Sequence, residues 1–159
     1  GYTVDLVANY LTGLGSENHL VEIGGEVVAK GISPTSGVLW KIGIDNPQQG
    51  QERSLQAVLS LDNQALATSG NYRKYRVDEK TGQKYVHSIN PLNGKPVRSN
   101  VLSASVKAPD CMTADAYATS LMVMPFERGK ALIEADPSLS AYWILAKGAE
   151  TEEIASSRW

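Results

Sequence analysis

Between residues 19 and 68 the sequence alternates short apolar segments with turn-forming residues, and this pattern strongly limits the folds available to the chain. The apolar segments are rich in β-branched residues and cover about 19–23, 26–31, 38–45, 54–61 and 64–68. The residues between them are turn formers, namely Gly24-Gly25, Ser33-Pro34, Asn46-Pro47 and Asp62-Asn63. Such an alternation is typical of strands joined by tight turns, so it predicts a meandering sheet.

Helical patterns occur at the start of the chain and in its second half. Apolar residues recur at helical spacing from about residue 3, until two glycines supply a stop. A second helix is expected around Asp115, after a strand at about 101–107. A third is expected at about 125–135, because Pro125 can open a helix and Pro137 cannot continue one.

Two further strand pairs complete the expected elements. Tyr72–Val77 and Lys84–Ile89 alternate around a turn that contains Gly82, which suits a hairpin. Near the end, Leu139–Ala146 has the pattern of a strand, and Thr151–Ala155 can pair back on it. Because the chain shows no repeat, low-complexity tract or linker, we expect one α+β domain, with a mostly antiparallel sheet and helices packed on it.

Composition excludes several classes of partner. The 159 residues include 15 basic and 17 acidic side chains, and the net charge of −2 with scattered basic residues gives no argument for nucleic acid or an anionic membrane.

Cys111 is the only cysteine, so no intramolecular disulfide can form, and its neighbours lack a base or cation that would activate the thiol. Since the sequence starts at Gly1 rather than Met, we expect a processed or truncated piece whose export signal was lost with the missing part.

Within the expected second helix, a carboxylate and a hydroxyl stand four residues apart. Asp115 and Thr119 lie in the stretch from Thr113 to Thr119, and residues at this spacing are neighbours on one helix face. A carboxylate beside a neutral oxygen suits a hard cation. Mg²⁺ is the natural candidate, because proteins hold it with one or two carboxylates while phosphates and waters complete its shell.

The same two residues also have a purely structural interpretation. Asp115 is expected in the first turn of its helix, where a carboxylate offsets the positive end of the helix dipole. The hydroxyl of Thr119 can be satisfied by a backbone carbonyl. The spacing alone leaves both interpretations open.

Four other segments carry recognisable patterns that, with the Ala114–Thr119 stretch, occur in a distinctive order. They are Gly1-Tyr2 with Asp5, Gly24-Gly25-Glu26, Thr68-Ser69-Gly70-Asn71-Tyr72, and His87-Ser88-Ile89-Asn90-Pro91-Leu92-Asn93-Gly94. In order and spacing the five segments resemble the motifs of the FAD:protein FMN transferases, also called ApbE-like flavin transferases. Those motifs are K-G-Y-x-x-D, G-G-D/E, T-S-G-x-Y, H-x-I-D-P-x-T-G and A-D-A-x-x-T, and the resemblance runs through essentially the whole chain.

The resemblance implies an ApbE-like or T-fold-like domain and an enzyme that depends on Mg²⁺. Such an enzyme binds FAD, transfers its FMN half to a threonine hydroxyl of an acceptor protein, and releases AMP. The acceptors it implies are subunits of redox-driven ion pumps or related flavoproteins. It also implies a place in the cell envelope or periplasm, including lipoproteins anchored to the inner membrane.

The resemblance also implies roles for single residues. Asp115 and Thr119 match the metal ligands, and His87 matches the group that accepts the proton of the threonine hydroxyl. The residues expected to contact FAD are Ile89, Thr68, Ser69, Gly70 and Gly1. Structural alternatives remain open for these positions: a histidine that caps the following turn, a capped strand exit at residues 68–70, and an isoleucine that is simply core.

The chain departs from the family pattern at three positions and lacks part of the family's length. Asn90 and Asn93 stand where the fourth motif has Asp and Thr, and Ala118 stands where some members carry a second carboxylate. The motif's lysine, a metal-binding carbonyl and the family's N-terminal half would all precede Gly1. Residues 1–159 are therefore expected to be the C-terminal portion of a flavin transferase domain, with the missing half as a partner.

Two other functions share these residues. The same metal site could split FAD into FMN and AMP with water as the acceptor, since both reactions use one transition-state apparatus. The other alternative is a flavin-binding or assembly protein that has lost turnover.

The resemblance implies that most contacts to the isoalloxazine ring precede Gly1, so we expect the 159 residues alone to bind FAD weakly or not at all. Quenching of FAD fluorescence, measured for this chain and for a protein of full family length, checks the expectation. Equally tight binding by both would contradict it.

Overall fold

The structure is a computed structural model that describes residues 1–46, 54–70, 75–77, 84–86, 89–91, 94–96, 99–148 and 150–159. The helices in these ranges are α1 (Tyr2–Gly13), α2 (Cys111–Val123) and α3 (Phe126–Ala135). The strands are β1 (His19–Ile23), β2 (Glu26–Lys30), β3 (Trp40–Asp45), β4 (Leu55–Leu61), β5 (Ala65–Gly70), β6 (Tyr75–Val77), β7 (Lys84–Val86), β8 (Ile89–Asn90), β9 (Lys95–Pro96), β10 (Val101–Ala108), β11 (Ser140–Lys147) and β12 (Glu150–Ala155).

A six-stranded antiparallel sheet in the order β1-β2-β5-β10-β11-β12 forms the centre of the fold. The predicted strands at 19–23, 26–31, 38–45, 54–61 and 64–68 are confirmed within a few residues. The predicted meander is wrong, because β3 and β4 leave the sheet as a separate hairpin and β5 pairs with β2 instead of β4. The hairpins β6–β7 and β8–β9 are also separate from the central sheet.

The reason for this departure lies in β5, which is apolar on both faces. Ala65 and Ala67 join the core beneath the helices, whereas Leu66 joins a second core with Val27 and Leu61. A sheet that is apolar on both sides needs cover on both. The helices cover one face and the β3–β4 hairpin covers the other, so the chain forms three layers.

The larger core lies between the helices and the sheet. Trp143 in β11 is fully buried there and meets Phe126 of α3 edge to face, with ring centroids 5.4 Å apart. Small residues fill the part of this core beneath α2; they are Ala65, Ala67, Ala104, Ala108, Ala114 and Ala118. Because alanine side chains are short, α2 can lie close to strands β5 and β10.

The first helix agrees with its predicted start near residue 3. Its buried side consists of Val4 and Ala8, with Leu11 packed against them. Along the rest of its length the helix exposes apolar side chains, including Leu6 and Tyr10. No helix in the described ranges is long and apolar enough to cross a membrane.

The last residues of the chain hold the end of α3. Arg158 Nη2 donates to the carbonyls of Ile133 at 2.8 Å, Glu134 at 3.1 Å and Asp136 at 2.9 Å. The last carbonyls of a helix have no partner inside the helix, so a guanidinium at this end satisfies several at once. Arg158 also lies 3.6 Å from the Glu134 carboxylate.

Replacing Arg158 with alanine should therefore lower the free energy of unfolding by about 2 kcal/mol, because charged hydrogen bonds to three carbonyls at the end of α3 are lost. Urea unfolding followed by circular dichroism measures the change. Lys147→Ala is the matched control, since its 3.3 Å ion pair with Glu152 is solvent-exposed and should contribute no more than about 0.5 kcal/mol. Equal effects of the two substitutions would contradict the assignment.

Candidate functional site

Helices α1 and α2 begin side by side, and two aspartates organise the start of α2. Asp110 is the N-cap, with its side chain accepting from Thr113 N at 2.8 Å and Thr113 Oγ1 at 3.0 Å. Asp5 reaches across from α1, where its two carboxylate oxygens accept from Cys111 N at 2.7 Å and Met112 N at 2.8 Å. Carboxylates from both helices thus occupy the positive end of the α2 dipole.

This arrangement corrects the expected position of Asp115. Because α2 begins at Cys111, Asp115 is its fifth residue and lies beyond the first turn. The dipole effect falls off within the first turn, and the amides there are already satisfied by Asp5 and Asp110. The structural interpretation of Asp115 therefore loses its main support.

Gly1 packs against the backbone of α2 with no room for a side chain. A Cβ atom at this position would lie 2.4 Å from Cys111 O and 2.5 Å from Met112 Cα. Both neighbours are backbone atoms that cannot rotate away, so the close approach requires glycine. The start of α1 is thereby held directly against the first turn of α2.

Two carboxylates converge on the nitrogen of Gly1. Asp115 Oδ2 lies 2.9 Å from it, and the Glu26 carboxylate at the start of β2 also bonds to it. The two acidic side chains are 32% and 39% exposed, so they form a place that favours positive charge and stays open to solvent.

One helical turn after Asp115, a pair of hydroxyls joins α2 to the sheet. Thr119 Oγ1 lies 3.1 Å from Ser69 Oγ on β5, so they form a hydrogen bond. The backbone-bonded hydroxyl expected as the alternative for Thr119 occurs instead at Ser120, which donates to Ala116 O at 2.7 Å. Two hydroxyls and the Asp115 carboxylate thus follow one side of α2.

The predicted flavin contacts in β5 are divided between two faces of the sheet. Thr68 and Ser69 are adjacent in a strand, so their side chains point in opposite directions. Thr68 Oγ1 bonds to Ser105 Oγ at 2.8 Å on the hairpin side, whereas Ser69 faces α2. Gly70 ends the strand opposite Ser103. Of the three, only Ser69 lies with Asp115 and Thr119.

The sequence also pointed to Ile89 and His87 as site residues and to Cys111 as an inert thiol. Ile89 in β8 is 56% exposed, so it is not part of the core. His87 lies outside the described residues. Cys111 is fully buried, and burial raises the pKa of its thiol to about 12, which agrees with an inert cysteine rather than a nucleophile.

The side chains around Asp115 and Glu26 suit a hard cation that is held partly by the protein and partly by a bound phosphate compound. No group of three or more His, Cys, Asp or Glu side chains with metal-binding geometry occurs among the described residues. Asp115 and Glu26 supply carboxylate oxygens, with the Thr119 and Ser69 hydroxyls nearby. Mg²⁺ typically takes one or two protein carboxylates and completes its shell with waters and phosphates. The donor set therefore fits Mg²⁺ bound together with a phosphate compound.

Comparison with known proteins identifies the family of the chain. The ApbE family model matches residues 1–143. The chain belongs to the ApbE family. Proteins named FAD:protein FMN transferase from Vibrio cholerae and Haemophilus influenzae are 47% and 39% identical to it over 136 and 145 residues, which are 86% and 91% of this chain. Those alignments cover 40% and 41% of the relatives, so the chain spans about two fifths of their length.

Solved structures of ApbE proteins have the same fold. The flavin transferase ApbE from Vibrio cholerae superposes with a TM-score of 0.83 at 41% identity, covering 99% of this chain and 48% of that one. The apo flavinyl transferase ApbE from Pseudomonas stutzeri gives 0.81 at 32% identity, covering 99% and 47%. The predicted family and the predicted α+β class with a mostly antiparallel sheet are thus confirmed.

Glu26 is the residue of this candidate site that sequence reasoning missed. It was taken only as the end of the Gly24-Gly25 turn, yet its carboxylate meets the same atom as Asp115. The available signal was its position: it is the first residue of a strand that follows a tight turn, where an acidic side chain is not needed for packing.

Gly1→Ala should separate the starts of α1 and α2 and lower the free energy of unfolding by about 2 kcal/mol, because the new methyl group overlaps backbone atoms. Gly13→Ala is the control, since nothing lies within 4 Å of a Cβ atom there, and alanine in a helix should leave stability unchanged or raise it by up to about 1 kcal/mol. Thermal unfolding of both variants checks the prediction, and an unaffected Gly1→Ala protein would overturn it.

Proposed function

We propose that this chain carries the metal-binding part of an FAD:protein FMN transferase. In the proposed reaction, Mg²⁺-dependent transfer moves the FMN half of FAD to a threonine hydroxyl of an acceptor flavoprotein and releases AMP. The observation that supports it most is the convergence of the Asp115 and Glu26 carboxylates, from α2 and β2, at one place beside the Ser69–Thr119 hydroxyl pair. Relatives that match this chain in sequence are named for this activity.

The reaction is a phosphoryl-type transfer, in which positioning and charge neutralisation provide most of the catalysis. The threonine oxygen bonds to the phosphorus of the FMN half, and the bond from that phosphorus to the bridging oxygen breaks, so AMP leaves with the electron pair. Bound Mg²⁺ would offset the negative charge on the pyrophosphate. Asp115 and Glu26 would hold the ion, and Thr119 would complete its protein ligands.

A proton must leave the threonine hydroxyl as the new bond forms. We assign its acceptance to His87, because histidine titrates near neutrality and this residue matches the family's base. Among the proposed FAD contacts, Ser69 lies beside the metal ligands and Ile89 is open to a ligand. Gly1 allows close approach at the carboxylate pair, while Thr68 and Gly70 would act from the strand end.

The wider context of the reaction is part of the proposal. Subunits of redox-driven ion pumps or related flavoproteins would be the acceptors, in the cell envelope or periplasm and with or without a lipid anchor. The relatives are more than twice as long as their aligned parts, and the remaining portion would supply the other flavin contacts.

Asp115→Asn should reduce FMN transfer at least about 100-fold, because loss of a direct metal ligand costs more than the loss of an outer-shell partner. The fold should remain, since other residues cap α2. The assay incubates full-length protein with FAD, Mg²⁺ and an acceptor protein, and measures flavin attached to the acceptor. Glu127→Gln is the control. It removes a carboxylate from the first turn of a different helix, α3, and should leave FMN transfer unchanged.

The same assay separates the alternative functions. Free FMN without labelled acceptor would identify an FAD hydrolase, and bound FAD without any product would identify a flavin-binding protein. Either result would contradict the proposed transfer of FMN to an acceptor protein. Full activity of the Asp115→Asn protein would remove the metal assignment.

A further inference from the structure

We infer that Asp5 is a positioning residue that fixes the place of Asp115 by tying helix α1 to the start of helix α2. The inference rests on the proposed metal site and extends it to a residue that does not itself contact the cation. Asp5 stands in the first turn of α1, yet its carboxylate is used by the other helix. Its oxygens accept from two successive α2 amides, Cys111 N at 2.7 Å and Met112 N at 2.8 Å.

Two hydrogen bonds to one carboxylate restrict the orientation of α2 relative to α1 as well as the distance between the two helices. A single hydrogen bond would let α2 pivot about one atom, whereas two parallel bonds to one planar carboxylate also define the direction of its first turn. The bonded residues are 106 and 107 positions apart in sequence. Asp5 is therefore a long-range link between two helices and does not act as a local cap.

The local cap of α2 comes from a different residue. Asp110 accepts from Thr113 N at 2.8 Å through its side chain, and its carbonyl accepts from Ala114 N at 3.1 Å. Met112 is exposed, so its amide lies where water could replace a protein acceptor. The helix thus has its own cap without Asp5, and what Asp5 adds is the attachment to α1.

The attachment leads directly to the candidate metal ligands. The first turn of α1 that holds Asp5 also holds Gly1, whose carbonyl accepts from Val4 N at 3.0 Å and Asp5 N at 3.2 Å. The Gly1 nitrogen lies 2.9 Å from Asp115 Oδ2 and also bonds to Glu26. Asp5 and Gly1 therefore hold α2 at two successive turns, and the second contact is made at Asp115 itself.

Loss of the first contact would let α2 shift against β2, which carries Glu26. The two carboxylates come from separate elements, so their separation depends on how those elements are joined. Catalytic geometry is sensitive to displacements of about 1 Å. Asp5 should thus govern cation affinity, in the way that outer-shell residues do in other metal sites.

The test compares Asp5→Ala with Asp110→Ala in the full-length protein. Both remove a carboxylate from the same helix start, so both should lower the urea midpoint. Only Asp5→Ala should weaken Mn²⁺ binding, measured by electron paramagnetic resonance, by about tenfold. Asp110→Ala should change it less than twofold. Asp5→Asn keeps one acceptor oxygen and should fall between Asp5→Ala and the unchanged protein.

Enzyme activity provides a second measurement, which the loss of a merely structural helix cap would not change. In Asp5→Ala the Mg²⁺ concentration for half-maximal FMN transfer should rise about tenfold, with kcat largely recovered at saturating Mg²⁺. Equal Mn²⁺ affinity of Asp5→Ala and the unchanged protein, with Asp115→Asn weakened, would overturn the role of Asp5 alone. Equal affinity of Asp115→Asn and the unchanged protein would overturn both the metal site and this inference.

Discussion

The backbone-to-backbone contact between Gly1 and the first turn of α2 determines how the rest of the site is arranged. It brings the start of α1 within bonding distance of Asp115 and, from the neighbouring strand, Glu26. Asp115 and Glu26 come from α2 and β2, and α2 also packs on the sheet that contains β2. The Asp5 carboxylate and the Gly1 nitrogen then hold the two helices at adjacent turns.

The hydroxyl side of the site depends on the alanines beneath α2. Serine and threonine are short, so a 3.1 Å bond between Ser69 and Thr119 requires the helix to lie close to β5. Fully buried alanines at 114 and 118 on the helix and at 65 and 67 on the strand permit that approach. The same small residues that fill the core therefore also determine where the polar side chains of the site lie.

Much of this arrangement follows from local sequence patterns, and the parts that do not have physical reasons. Turn formers and apolar periodicity located most of the strands and all three described helices, because such signals act over a few residues, but they did not predict the short β8–β9 hairpin. The departure of β3 and β4 depends on covering the second face of the sheet, which is a long-range requirement. A helix start at Asp110 was readable from its residue type, and reading it would have placed Asp115 beyond the first turn.

The site residues show a similar division. The i, i+4 spacing of Asp115 and Thr119 indicated a shared face. The position of Glu26 after a tight turn indicated a carboxylate that packing does not need, but its contact with this group is long-range. The opposite directions of Thr68 and Ser69 follow from strand alternation alone, so this separation could have been anticipated. Asn93 and His87 lie outside the described residues, and their roles stay predictions.

The lengths of the side chains at the site have a thermodynamic consequence. Asp115, Ser69 and Thr119 have few rotatable bonds and are held by neighbouring groups, so they lose little side-chain entropy when a ligand binds. Glu26 is longer and comes from a strand at the side of the site. A cation of larger or smaller radius would therefore meet nearly rigid side chains on one side of its coordination shell. The shell would adjust to the size of the ion mainly through movement of the Glu26 side chain.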